Sequence, residues 1–153
     1  MKMRNWIFTV GMTGCVLCSA ILNAAEKEQQ NKATGELIVI INSARNDQGH
    51  IELHLMNSTD QFNNKSPSYS VCHTAINNLK AQCSFQSLPY GDYAIFAFHD
   101  QNSDQTLNYN FLGSPTEKLA ISAVDLADNN QPTYLQSRFE FSSPKAQLFL
   151  NLQ

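Results

Sequence analysis

Short apolar or alternating segments, separated by turn residues, dominate this sequence. Residues 36–41 form a continuous β-branched run, which is typical of a central buried strand, whereas residues 51–56 alternate between apolar and polar side chains. Further segments of this kind are 69–76, 80–87, 93–98, 138–141 and 147–152. No long stretch follows the helical period, although residues 119–127 fit either a short helix or a turn. The pattern predicts an all-β fold, an antiparallel β-sandwich of about seven strands.

The N-terminal segment has the organisation of a secretory signal peptide. Lys2 and Arg4 provide a positive start, residues 6–22 are apolar and uncharged, and small residues at 23–25 precede a polar run at 26–32. The protein is therefore predicted to be exported, and to be periplasmic or secreted.

The predicted boundaries follow from this signal. We expect residues 1–25 to be removed, with cleavage after Ala25 or, alternatively, after Ala20. A lipoprotein signal at Cys15 fits less well because apolar residues continue beyond it, and an uncleaved anchor fits less well because its apolar stretch is marginally short. Residues 26–34 are then a polar lead-in, and residues 35–153 form a single β-sandwich domain.

Charge and hydropathy argue against a nucleic-acid-binding surface and against a membrane span in the mature chain. The chain has 10 basic and 13 acidic residues, and loss of Lys2 and Arg4 with the signal leaves 8 against 13, a net charge of −5. Because Lys and Arg form no run, the sequence offers no nucleic-acid surface. No apolar stretch after the N-terminus reaches the roughly 18–20 residues of a membrane span. We expect a monomer whose partner is an envelope or extracellular ligand.

Two cysteines, Cys72 and Cys83, remain after export and are predicted to form one disulfide. A tight turn at Asn77-Asn78 would pair residues whose numbers sum to 155, which places the two cysteines opposite each other on adjacent strands of a hairpin. The spacing lacks the CxxC pattern of redox pairs. A structural bridge that contributes about 3 kcal/mol is therefore expected.

Oxygen-bearing residues recur at relative positions 1, 3, 5, 7 and 9 after the 93–98 segment. They are Asp100, Asn102, Asp104, the carbonyl of Thr106, and Asn108. This spacing resembles a calcium loop, in which Glu117 could supply a missing carboxylate. Gln105 and Phe111 stand where such a loop has Gly and Glu. The sequence thus predicts either a weak, millimolar-class calcium site or turns in which Asp and Asn bond their own backbone.

The histidines raise an enzymatic alternative. His99 ends a buried segment beside Asp100 and near Glu117, a grouping that could bind a transition metal or act as an acid–base pair. His50 and His54 are predicted to share a solvated strand face, and His73 is predicted to face outwards. No nucleophile motif accompanies them, and a strand-end histidine commonly anchors a neighbouring loop by hydrogen bonds.

A run of motifs in residues 93–117 resembles a known family. A strand ends in Phe98-His99-Asp100, a loop rich in Asn and Asp follows, and the pattern Asn-Phe-x-Gly-x-Pro-x-Glu at 110–117 closes it. The turn at 88–93 adds Leu-Pro-x-Gly-x-Tyr. These residues are similar to the exported bacterial family catalogued as domain of unknown function 2141, over about residues 36–152. The resemblance implies an immunoglobulin-like or prealbumin-like sandwich and no established activity.

Two departures from the family pattern affect the candidate site. Gln105 replaces a loop glycine, and residues 119–122 replace a Gly-Phe-Ser step. The motif residues His99, Asn110 and Glu117 remain our candidate ligand-binding residues.

Three functional hypotheses follow from the sequence. The preferred one is a non-catalytic binding or accessory module whose 100–117 segment holds a cation or a partner. The alternatives are a small metal-dependent or hydrolytic enzyme that uses His99, Asp100 and Glu117, and a purely structural envelope domain. Several aromatic residues could line a sugar or peptide surface, although a place in the core is the preferred interpretation. They are Tyr90, Tyr93, Tyr109, Tyr134 and Phe111.

Overall fold

Eight β-strands form in residues 32–129 and 131–153, the part of the chain that this computed structural model describes. The predicted signal peptide and most of the lead-in lie outside the described residues. The strands are β1 (Thr34–Asn42), β2 (His50–Met56), β3 (Ser70–Ala75), β4 (Ala81–Pro89), β5 (Gly91–Asp100), β6 (Leu119–Ile121), β7 (Phe139–Phe141) and β8 (Lys145–Asn151). Seven of them coincide with the predicted segments. Residues 119–127 were expected to form a short helix or a turn, but they begin with the short strand β6, and turns follow it.

The strands form two sheets. One has the order β4-β1-β8, and the other has the order β3-β2-β5-β6, with β7 paired to the beginning of β5. The all-β prediction is confirmed, but the prediction of a purely antiparallel arrangement is wrong, because β1 and β8 pair in parallel. Alternation along a strand specifies which side chains face inwards and carries no information about strand direction, so the sequence pattern could not reveal this pair.

The core lies between the inner faces of the two sheets. Every second residue of β1 and β2 contributes to one buried cluster, together with residues of β4, β5 and β8. The members from β1 and β2 are Leu37, Val39, Ile41, Ile51, Leu53 and Leu55. Burial of each such side chain is worth about 1.5–3 kcal/mol, so this cluster supplies most of the driving force for folding.

The Cys72–Cys83 disulfide is present, with a Cα–Cα distance of 6.2 Å. The predicted hairpin around it is wrong, because β3 belongs to the five-stranded sheet and β4 to the three-stranded sheet. The turn that connects them has Asn78 and Leu79 at its centre, both with positive φ, and the chain crosses between the sheets at this point. The bridge therefore joins the two layers of the fold rather than two neighbours in one sheet.

Two short helices complete the regular structure of the described residues. The first, α1 (Thr59–Phe62), begins at Ser58, whose hydroxyl accepts a hydrogen bond from the Gln61 backbone. The second, α2 (Tyr134–Ser137), follows Thr133. Within the described ranges, no helix is long and apolar enough to cross a membrane.

Candidate functional site

The outer face of the five-stranded sheet carries the candidate site. Residues that alternate with the core positions of β2 and β5 point to this face. They are His50, Glu52 and His54 from β2, and Phe96, Phe98 and Asp100 from β5. Strand register places His54 opposite Phe96 and Glu52 opposite Phe98. His50 and His54 thus share a face, as alternation predicts.

This outer face is partly covered. Phe98 is nearly fully buried, and its ring lies parallel to that of His54 with 6.5 Å between the centroids. Residues 100–117, which we name the acidic loop, leave the end of β5 beside this face, and the Ser103 hydroxyl lies 3.4 Å from His50 Nδ1. The expectation that His50 and His54 lie on a solvated face is therefore only partly met.

Asp100 anchors the beginning of the acidic loop. Its side chain is fully buried, and its two carboxylate oxygens accept hydrogen bonds from the backbone N–H groups of Asp104 (3.2 Å) and Gln105 (2.8 Å). Backbone donors satisfy a buried carboxylate and fix the turn that carries them. Asp100 consequently shapes the loop from its first residue.

Glu117 closes the acidic loop. Its Oε1 accepts a hydrogen bond from Gln101 N, and its Oε2 accepts one from Asn108 N, each at 3.1 Å. One carboxylate therefore ties the outgoing segment of the loop to the returning one.

Asp104 is the centre of a polar network inside the loop. Its Oδ2 accepts hydrogen bonds from the side-chain amides of Asn102 (2.8 Å) and Asn108 (3.1 Å), and its Oδ1 accepts one from Thr106 N (2.9 Å). These hydrogen bonds hold the pKa of the Asp104 carboxyl below its ordinary value of 3.8, and the bond from Asn108 has the largest effect. All three predicted carboxylate ligands are thus engaged with N–H groups of their own loop.

The backbone of the loop explains the departure at residue 105. Gln105 adopts φ of +60°, and Ser103 adopts +62°. A non-glycine residue costs roughly 1–2 kcal/mol in this left-handed region, so a glycine at 105 would suit the conformation better. The hydrogen bond from Gln105 N to Asp100 helps to hold the residue there.

Asn110 organises the tip of the loop. Its side-chain oxygen accepts hydrogen bonds from Leu112 N (2.9 Å) and Ser114 N (3.0 Å), and Gly113 takes a left-handed φ of +80°. The turn leaves Phe111 95% exposed and Leu112 74% exposed; we name this pair the apolar tip.

Two of the aromatic residues assigned to the core therefore lie at the surface. Tyr109 is 58% exposed, like the neighbouring Phe111, whereas Tyr93 and Tyr134 are buried as expected. The preferred interpretation is wrong for the loop aromatics because the Asn110 turn points outwards from the sheet.

A groove of about 800 Å³ lies between the acidic loop and the outer face of the sheet. Its lining is mainly apolar and includes a few polar side chains. The main apolar contributors are Phe96, Leu107, Tyr109, Leu119, Ile121 and Leu126. Its volume falls in the range of about 300–1,000 Å³ that is typical of ligand sites.

His99 has a structural environment. Its Nδ1 accepts a hydrogen bond from Arg45 N (3.2 Å), and its Nε2 donates one to the Gln48 carbonyl (2.8 Å). The residue is 1% exposed, and as a neighbour of Asp100 on a strand it points to the opposite face of the sheet. The geometry does not bring His99, Asp100 and Glu117 together around one reacting atom; it uses the imidazole to hold the β1–β2 turn.

A second polar grouping, which the sequence patterns did not predict, lies on the outer face. One ligand atom each from His50, Glu52 and His73 lies within 4.8 Å of the others. We name these residues the His–Glu–His cluster. The alternation of His50, Glu52 and His54 on one strand was the available signal, but His73 joins only through the β2–β3 register.

Comparison with known proteins identifies a family over most of the chain. A family model described as "Uncharacterized protein conserved in bacteria (DUF2141)" matches residues 39–148. No curated protein and no solved structure matches the chain.

Proposed function

The chain belongs to the DUF2141 family of uncharacterised bacterial proteins, and from this premise we propose that it is a non-catalytic binding module that acts after export, in the periplasm or outside the cell. Its ligand is a protein or peptide segment with an apolar surface. The apolar tip and the adjoining groove form the binding surface.

The presentation of the apolar tip is the observation that carries this proposal. Phe111 and Leu112 are exposed at the end of a loop that Asp100, Asp104 and Glu117 tie to itself. Leaving two large apolar side chains in water forgoes about 1.5–3 kcal/mol each. A loop that is already ordered presents them at a small entropic cost of binding, and buried aromatic anchors dominate many protein interfaces.

The groove supports the same kind of ligand. Its apolar walls could receive one or two side chains of a partner, while Glu117, Gln131 and Gln153 supply polar groups beside them. Insertion of the tip into the partner and of partner side chains into the groove would make the contact reciprocal.

The absence of a catalytic role is part of the proposal. Both ring nitrogens of His99 are bonded to backbone groups, and the carboxylates of Asp100 and Glu117 accept backbone hydrogen bonds. Such groups shape a loop and are poorly placed to transfer protons to a substrate.

The weak calcium site remains a prediction. If calcium binds, a free calcium concentration 100 times the dissociation constant would raise the free energy of unfolding by about 2.7 kcal/mol. A thermal melt with calcium and with chelator measures this, and equal melting temperatures would contradict the calcium interpretation.

We also propose that the two sheets form an immunoglobulin-like or prealbumin-like sandwich and that the protein is a monomer. The Tyr93 hydroxyl donates a hydrogen bond to the carbonyl of Pro89 (2.8 Å), four residues upstream, in the manner of the tyrosine corner of Greek-key sandwiches. Burial raises the pKa of the Tyr93 hydroxyl to about 12, and the neighbouring Tyr69 makes a smaller contribution in the same direction.

Site-specific photo-crosslinking tests the binding proposal. A photoreactive residue is placed at position 111 or, as a matched control, at position 135, where Leu135 is 68% exposed on α2. The two proteins are produced in the native host, and envelope and extracellular fractions are illuminated. We expect an adduct of discrete mass at 111 only, in a fraction outside the cytoplasm. An excess of unlabelled protein should suppress it, and unlabelled protein with Phe111→Ser and Leu112→Ser should not.

Equal labelling at positions 111 and 135, or an adduct that no competitor suppresses, would show that the tip has no specific partner. Intact masses of the same proteins test export, because removal of residues 1–25 leaves a chain that begins at Glu26.

A further inference from the structure

The His–Glu–His cluster is assembled by strand register. Glu52 lies directly opposite His73 in the β2–β3 ladder, and His50 lies two residues before Glu52 on the same face of β2. The rings of His50 and His73 approach to 5.7 Å between centroids. Two paired strands therefore aim two imidazoles and one carboxylate at a common point.

The carboxylate at this point is buried and incompletely bonded. Glu52 is only 5% exposed, and its Oε1 is paired with His54 Nε2 at 2.9 Å. Its Oε2 has no hydrogen-bond partner within the described ranges, although it lies 3.5 Å from His73 Nδ1. His50 Nε2 is likewise buried and makes no hydrogen bond there, although Asp100 Oδ2 lies 3.3 Å away. Buried polar atoms without partners are costly, and a bound cation would satisfy both.

We propose that His50, Glu52 and His73 bind a divalent transition-metal ion, with Zn²⁺ as the reference ion. Two imidazole nitrogens and one carboxylate oxygen form a ligand set that zinc uses, with a fourth position left for water. Tetrahedral bonds of about 2.0–2.2 Å place ligand atoms roughly 3.3–3.6 Å apart. The Glu52–His73 distance of 3.5 Å already meets this requirement. Imidazole suits zinc and copper better than calcium, whose ligands are oxygens.

Neighbouring groups would support the metal ligands. His54 holds the other oxygen of Glu52, and its own Nδ1 is paired with the Ser68 hydroxyl at 3.0 Å. Asp100 Oδ2 lies 3.3 Å from His50 Nε2 and adds negative charge beside the cluster. A hydrogen-bonded partner such as His54 orients its ligand and raises metal affinity, whereas Asp100 places its charge beside the nitrogen that would bind the metal.

This metal site does not depend on the proposed partner surface. The cluster uses residues of β2 and β3, whereas the apolar tip lies at residues 111 and 112 of the loop. Loss of zinc binding and loss of crosslinking at position 111 are therefore separate outcomes.

Direct titration tests the proposal. The protein, purified without a histidine tag and stripped with chelator, is titrated with Zn²⁺ against a chromogenic indicator, with its disulfide intact. We expect one ion per chain, and an affinity that falls at least about 100-fold in His73→Ala and in Glu52→Gln. Asp104→Asn, which removes an exposed carboxylate of the acidic loop, is the matched control and should leave the zinc affinity unchanged.

NMR of the wild-type protein provides a readout that needs no substitution. Zinc should shift the imidazole resonances of His50 and His73 and leave those of His99 in place. The proposal is wrong if no ion binds with one-to-one stoichiometry, if both cluster variants bind like wild type, or if the bound ion shifts His99 rather than the cluster.

Discussion

The acidic loop and the His–Glu–His cluster both place acidic groups near the outer face of the same sheet, yet their carboxylates differ in hydrogen bonding. In the loop, Asp100 and Glu117 each accept two backbone N–H bonds. In the cluster, Glu52 is buried with one oxygen unpaired among the described residues. The first arrangement is complete within the chain itself, whereas Glu52 Oε2 has only a 3.5 Å contact with His73 Nδ1, which a bound cation would replace.

Hydrogen bonding distinguishes a carboxylate that stabilises a scaffold from one that is available to a ligand. A carboxylate whose bonds are all made by its own loop stabilises a conformation. A buried carboxylate that lacks a partner lowers stability unless a ligand supplies one. By this criterion the acidic loop, despite its calcium-like spacing in the sequence, is a scaffold that presents the apolar tip. The His–Glu–His cluster, which no sequence spacing reveals, is the stronger candidate for metal binding.

Loss of the Cys72–Cys83 disulfide beside the cluster should destabilise the protein more than any other change considered. Cys72 precedes His73 on β3, and removal of the bridge by Cys72→Ser with Cys83→Ser should lower the free energy of unfolding by about 3 kcal/mol, because the unfolded chain gains entropy. The melting temperature should fall by about 10 °C. Hydrogen exchange should then increase on β3 and remain unchanged in the acidic loop. An increase confined to the loop would reverse the roles assigned to the two regions, and a change of oligomeric state would contradict a purely structural bridge.

A matched pair of isosteric substitutions tests the comparison directly. Asp100→Asn turns one carboxylate oxygen into an amide that faces a backbone N–H, so it should destabilise the metal-free protein by about 2 kcal/mol. Glu52→Gln removes a buried charge and leaves an amide oxygen that can keep the 2.9 Å contact with His54 Nε2, so the metal-free stability should stay within about 0.5 kcal/mol of wild type or increase. Chemical denaturation in the presence of chelator measures both values. Equal losses from the two variants would show that Glu52 is as structural as Asp100.

The smallest expected effect is a response of the loop to acid. Hydrogen bonds from Asn108, Asn102 and Thr106 lower the pKa of Asp104, so its contribution is complete above the ordinary value of 3.8 and is lost as the pH falls through the lower folded value. The protection factor of the Thr106 amide, which relates its exchange rate to the intrinsic rate at the same pH, should therefore fall below about pH 4 in wild type. In Asp104→Asn the pH dependence of the Thr106 protection factor should be weaker. If wild type and variant show the same pH dependence, a group other than Asp104 causes the effect.

Much of the fold was predictable because burial on one face imposes alternation. The segments at 36–41, 51–56 and 93–98 coincide with β1, β2 and β5 for this reason. The segment that became β6 has only three strand residues, Leu119–Ile121, which is too short to show a period. Its strand character comes from pairing with β5.

The candidate site was predictable only where its residues are close in sequence. Asp100, Asn102, Asp104 and Asn108 do organise one loop, since local spacing determines local hydrogen bonds. The separation of His99 from Asp100 also follows from strand alternation. The approach of His73 to Glu52, by contrast, requires the register of two strands that are joined by a long connection.

Sequence patterns alone were enough to predict the all-β class, the positions of most strands, the two cysteines that pair and the polar residues of the acidic loop. Each of these depends on side-chain period or on neighbours along the chain. Long-range packing was needed to show that β1 and β8 run parallel, that the disulfide joins the two sheets, and that Glu52 lies between two histidines with one oxygen that makes no hydrogen bond within the described residues. Strand direction, register and burial depend on long-range packing, which no local pattern encodes.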